Sequence, residues 1–106
     1  MTTVTNLGFP RIGARRELKR AVEAYWRGEA DAGQLQEQAR SLRHRHWQLQ
    51  HAAGADTVPC NDFSLYDHVL DTAFLFDAIP RRYRGLCDSD PLQGYFAMAR
   101  GAEGLP

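Results

Sequence analysis

Residues 7–20 read LGFPRIGARRELKR, and how this stretch is divided decides the fold. Gly8, Phe9, Pro10 and Gly13 break regular structure. Before them, residues 2–7 carry the β-branched run Thr3, Val4 and Thr5 and read as a short strand. After them the pattern changes period. Leu18, Ala21, Val22, Tyr25 and Trp26 fall at i, i+3, i+4, i+7 and i+8, one face of a helix over about residues 15–27. Gly28 is its natural stop. Strand, turn, helix is the opening of an α/β fold.

Farther along the chain, Asp31 and Gln34 have the spacing of a capping box and start a second helix, residues 31–53. Its apolar stripe is Leu35, Ala39, Leu42, Leu49 and Ala53, with Trp47 beside it and Gly54 closing it. Trp26 and Trp47 are expected in the core. Residues 56–59 (DTVP) read as a second short strand. A third helix is expected over residues 64–78. Val69, Leu70, Ala73, Phe74 and Phe76 cover much of its circumference, which predicts burial. Pro80 ends it, and residues 81–87 (RRYRGLC) read as a basic loop. Asp90 and Pro91 suit N-cap and N1 of a last helix, residues 91–100. Gly101, Gly104 and Pro106 predict an unstructured tail. The reading is α/β by parentage but helix-dominated, with two short strands. Two strands do not make a stable sheet alone, so the sheet looks unfinished.

At 106 residues the chain is about one small domain, too short for a closed eight-stranded α/β barrel, which takes roughly 200 residues or more. A hydrophobic share of 43% and a charged share of 25% place it with globular proteins and against wholesale disorder. Thirteen basic residues balance thirteen acidic ones, which argues against a dedicated nucleic-acid binder. Cys60 and Cys87 are too few for a disulfide scaffold. The opening residues lack the basic flank and apolar run of a signal peptide, and no segment has the roughly 18 apolar residues of a membrane span. A reducing cytoplasm is the expected location.

Net neutrality hides segregation. Residues 1–20 hold Arg11, Arg15, Arg16, Lys19 and Arg20 against Glu17 alone, a local balance of +4. Residues 56–77 hold Asp56, Asp62, Asp67, Asp71 and Asp77 with no Lys or Arg, a balance of −5. The basic cluster lies between a strand end and a helix start, where unpaired N–H groups and the helix dipole favour anions. Arg16, Lys19 and Arg20, at i, i+3 and i+4, are expected on one face. A ligand with several carboxylates or phosphates suits it. The plain alternative is a solvated helix face partly paired with acids.

Other candidates carry less. His44 and His46 are two apart on a helix, diverge by about 200°, and do not chelate one metal. His68 beside Asp67 is a site residue or a structural hydrogen-bonder. Cys60 is expected to be a buried, inert thiol. Asp62, Asp67 and His68 line a pocket in the full protein, or are plain structural residues, with Asp62 and Ser64 simply capping the third helix.

The run LGFPRIG followed by Arg15-Arg16-Glu17-Leu18-Lys19 resembles the start of cobalamin-independent methionine synthase. So do Tyr25-Trp26, the stretch from Arg43 to Trp47 (RHRHW), and the stretch from Asp62 to Leu70 (DFSLYDHVL). The resemblance covers nearly the whole chain in order. It implies a zinc-dependent enzyme that moves the methyl group of 5-methyltetrahydrofolate polyglutamate to homocysteine. It also implies two (β/α)₈ barrels, with residues 1–106 an incomplete part of the N-terminal one. By the same resemblance Arg16, Glu17, Leu18 and Lys19 contact the folate polyglutamate, Glu17 and Leu18 mainly through backbone and packing. Zinc and the homocysteine pocket are expected in later sequence, so this segment alone is expected to hold no cofactor, to be inactive, and to self-associate through helix faces left uncovered. The competing reading is a non-enzymatic helical interaction module.

Overall fold

The LGFPRIG segment sets the layout of the first half. A computed structural model describes residues 1–104, and Leu105 and Pro106, with the end of the expected tail, lie outside the described residues. The chain divides into two units, Met1–Leu65 and a second from Tyr66 onward.

In the first unit, α1 (Glu17–Trp26) packs on α2 (Ala32–Ala52). α1 turns its buried residues Leu18 and Val22 inward. α2 opens with the capping box: Asp31 accepts from the Gln34 N–H at 2.8 Å, and the Gln34 side chain accepts from the Asp31 N–H at 2.8 Å. Its buried stripe is Leu35, Ala39, Leu42, His46 and Gln50. The lower part differs from expectation. Leu49 and Trp47 are largely exposed, and His46 and Gln50 point inward instead. The register of Leu35, Ala39 and Leu42 continues to 46 and 50 by helical periodicity, so apolar character misled there.

Those two polar residues hold the N-terminal loop. The Phe9 ring lies 4.5 Å from the His46 ring, and Asn6 donates to the Gln50 side chain at 2.9 Å. Asp62 accepts from the Phe9 N–H at 2.9 Å, and Arg11 donates to the Ser64 carbonyl at 3.1 Å. The loop is therefore anchored on α2 and on residues 62–64.

The two expected strands do not form, and no β-strand exists among the described residues. Residues 2–7 and 56–59 do meet. Val4 accepts from the Asp56 N–H at 2.9 Å, and its own N–H donates to the Asp56 carboxylate at 2.7 Å. Hydrogen bonds confined to Val4, and closed by a side chain rather than a carbonyl, are not a ladder. Without neighbouring strands the β-branched run stays irregular and exposed.

The second unit holds α3 (His68–Leu75), α4 (Arg81–Ser89) and α5 (Pro91–Arg100). α3 is shorter than the 64–78 expected. Asp67 caps it, accepting from the Leu70 N–H at 2.9 Å, because a carboxylate there satisfies an otherwise orphaned donor. No α3 residue is buried, against the expectation of a buried helix. The stretch expected to be a basic loop is α4, since Tyr83 and Cys87, at i and i+4, bury one side of it. Asp90 and Pro91 start α5, with Asp90 accepting from the Gln93 N–H at 3.1 Å. The core is Tyr83, Cys87 and Ala97, with Phe74, Ile79, Leu86 and Met98 against it. The Tyr95 hydroxyl donates to Asp71 at 2.6 Å and accepts from the Tyr66 N–H at 3.1 Å.

Candidate functional site

The basic corner is built on a tight turn, residues 13–16, that feeds α1. Gly13 has φ +91°, and a Cβ there would lie 2.9 Å from Glu17 Oε1. Arg16 is the N-cap with φ 60° and ψ 35°, left-handed backbone that a non-glycine residue keeps only when its surroundings hold it. They do hold it. The Arg16 N–H donates to the Gly13 carbonyl at 3.1 Å, and the Leu18 N–H donates to Ile12 at 3.0 Å. The Arg15 N–H donates to Glu17 Oε1 at 2.5 Å, and Arg20 donates back to the Arg15 carbonyl.

The four motif residues therefore do different things. Leu18 is fully buried and reaches no ligand with its side chain. Glu17 is occupied on both oxygens, by the Arg15 N–H and by the Arg45 guanidinium from α2. Lys19 is exposed and makes a 3.6 Å pair with Glu23, an i, i+4 contact of small energy. Among the described residues the exposed guanidinium groups of Arg15 and Arg16 make no hydrogen bond or ion pair. Arg16 stands at the N-cap in left-handed backbone while Lys19 and Arg20 lie within α1, a difference that spacing alone does not show. An open groove of about 440 Å³ leads from this corner, lined by Arg20, Gln34, Leu35 and Gln38 among others.

The Arg45 guanidinium, then the Arg15 N–H, hold the Glu17 carboxyl down to about 2 from the usual 4.5. A carboxyl lowered in the folded state adds stability in full above about pH 4.5, and this is lost as pH falls toward about 2. The difference in melting temperature between the unsubstituted chain and Glu17→Gln is thus expected to shrink across that window. A gap independent of pH would contradict it. Burial, and then the Arg45 charge, push the His46 imidazole below its ordinary value, so it is neutral packing against Phe9.

The remaining candidates separate. Asp62 holds the Phe9 N–H, Asp67 caps α3, and His68 is an exposed residue of the first turn of α3. Cys60 is exposed, contrary to expectation, and Cys87 is the buried thiol, raised by desolvation. The zinc implied by the resemblance does not fit these residues. Among the described residues no three His, Cys, Asp or Glu side chains gather, and a raised, buried thiol is far from the thiolate that binds metal. No helix among the described residues is long and apolar enough to cross a membrane.

Residue spacing alone missed Arg45, His46 and Gln50. His46 and Gln50 lie at the register of the α2 stripe, whereas Arg45 is set on Glu17 only by the packing of α1 on α2.

Residues 3–106 match the family described as cobalamin-independent synthase, N-terminal domain. The chain is 78% identical over 103 residues to the 5-methyltetrahydropteroyltriglutamate–homocysteine methyltransferase of Xylella fastidiosa strain M23, covering 97% of this chain and 14% of that protein. It is 55% identical over 105 residues to the protein of the same name from Bifidobacterium animalis subsp. lactis, covering 98% and 14%. The match from Nitrosomonas europaea is 53% identical over 107 residues, covering 100% and 14%. The chain thus spans about a seventh of the length of these relatives.

Proposed function

This chain belongs to the cobalamin-independent synthase family, matching its N-terminal domain, and on that premise we propose that it is one portion of a homocysteine methyltransferase and holds the glutamate tail of the methyl donor. The observation that carries this reading is the exposed pair Arg15 and Arg16, without partners among the described residues, on a turn braced from several sides. The relatives' name specifies a pteroyltriglutamate, and γ-linked glutamates are a string of carboxylates. Guanidinium groups match carboxylates two bonds at a time. Lys19 joins them by exchanging Glu23 for a ligand carboxylate.

In this reading Arg16 and Lys19 contact the tail, Leu18 anchors α1, and Glu17 acts through the backbone. The incomplete barrel of residues 1–106, the zinc and the homocysteine pocket belong to the whole protein in the cytoplasm. The segment alone is expected to be inactive, because the reading assigns the zinc and the homocysteine pocket to other parts of the whole protein. A few exposed ion pairs contribute about 0–1 kcal/mol each, so the residual affinity is weak and suits NMR titration. Pteroyltriglutamate is expected to move the amide signals of residues 13–20, and Arg16→Ala with Lys19→Ala to abolish the response. An unchanged response in the double variant would sink the assignment.

The second reading, an interaction module, draws on α3. Val69, Leu75 and Phe76 are 77%, 79% and 75% exposed, an apolar face that globular proteins usually cover. Sedimentation at high concentration is expected to show self-association of the segment. A sharp monomer there would count against this surface mattering.

A further inference from the structure

Arg45 comes from α2, outside the stretch from Arg16 to Lys19, yet it reaches the basic corner through Glu17. Its partner Glu17 poses a problem for an anion site. A lone carboxylate between Arg16 and Lys19 would repel each glutamate of the ligand. Arg45 neutralises it and fixes one oxygen, which leaves the other to accept from the Arg15 N–H at 2.5 Å. Arg15 is held a second time, because Arg20 donates to its carbonyl. Gly13 supplies the room, since any Cβ there would collide with the same carboxylate. The result is a turn whose backbone is pinned from both helices while the Arg15 and Arg16 side chains stay exposed.

We propose that Arg45 and Glu17 are positioning residues for the anion corner: their ion pair cancels the negative charge nearest the turn and sets the turn that presents Arg15 and Arg16 to a γ-linked oligoglutamate. This rests on the polyglutamate reading above. Neither residue need touch the ligand. Arg45→Met leaves Glu17 charged and loose, so it should weaken binding although it removes no contact.

The test is an NMR titration of the 106-residue chain with tri-γ-glutamate, comparing the unsubstituted protein, Arg45→Met and Arg45→Lys, with far-UV circular dichroism as a fold check. Arg45→Met is expected to weaken binding about three- to fivefold, the range set by an exposed ion pair, and to move the Arg15 and Arg16 amide signals in the free protein. Arg45→Lys is expected to restore both. If Arg45→Met loses helical signal, Arg45→Gln is read the same way, as it removes the charge but keeps a donor. Equal affinity of the unsubstituted chain and the charge-removing variant would overturn the positioning role alone. No saturable binding by the unsubstituted chain would overturn the polyglutamate reading, and this inference with it.

Discussion

Leu18→Ala is expected to destabilise the first unit by about 2–5 kcal/mol, the range for emptying a leucine-sized space in a packed interior. Leu18 is 0% exposed, and its N–H closes onto Ile12 at 3.0 Å, so one residue joins the LGFPRIG loop to α1. Small domains are stable by only about 5–15 kcal/mol, so this is a large part of the total. Urea unfolding followed by circular dichroism measures it. Leu49→Ala is the control, because Leu49 is 52% exposed on the same helix pair and should change stability little. A Leu18→Ala loss no greater than the control would mean that this side chain does not carry the packing of the first unit. Ligand affinity should fall with the fold, since Leu18 supports the corner without reaching it.

Gly94→Ala should destabilise the second unit, against the usual rule for helices. In an ordinary helix interior this substitution adds about 1 kcal/mol of stability. At position 94 the new Cβ would lie 2.5 Å from Cys87 Sγ, 2.7 Å from Cys87 Cα and 3.0 Å from Cys87 N. Two of those atoms are backbone, so α4 must move as a whole. Overpacking of this kind costs about 1–3 kcal/mol, enough to reverse the sign. Gly85→Ala on α4 is the matched contrast. Nothing lies within 4 Å of its added Cβ, and it should stabilise. The pair of melting temperatures should therefore move in opposite directions. Stabilisation by both would show that α4 and α5 approach less closely at Gly94.

What could be read from the sequence was chemistry that closes locally. The Asp31–Gln34 box and the Asp90-Pro91 start depend on residues within three positions of each other, and both form. The basic corner was visible as charge, and its place before α1 as a period change. What depends on distant partners was not visible. Residues 2–7 have strand composition but no neighbouring strands. Residues 81–87 looked like a loop because Arg81, Arg82, Arg84 and Gly85 masked the Tyr83–Cys87 face that α5 buries. α3 looked buried because it is apolar, yet its outward residues have nothing over them among the described residues. The corner itself needed coordinates. Spacing placed Arg16 with Lys19 and Arg20 but did not show its left-handed backbone, and nothing in the spacing paired Glu17 with Arg45.

Whether the corner reads the glutamate tail rather than the pterin decides the proposed function. The direct measurement is amide shift mapping of the labelled chain with pteroylmonoglutamate and pteroyltriglutamate side by side. The triglutamate is expected to move signals of residues 13–20 and of Arg45 at concentrations where the monoglutamate moves none. Equal responses to both, or shifts centred on Arg81, Arg82 and Arg84 of α4, would contradict it.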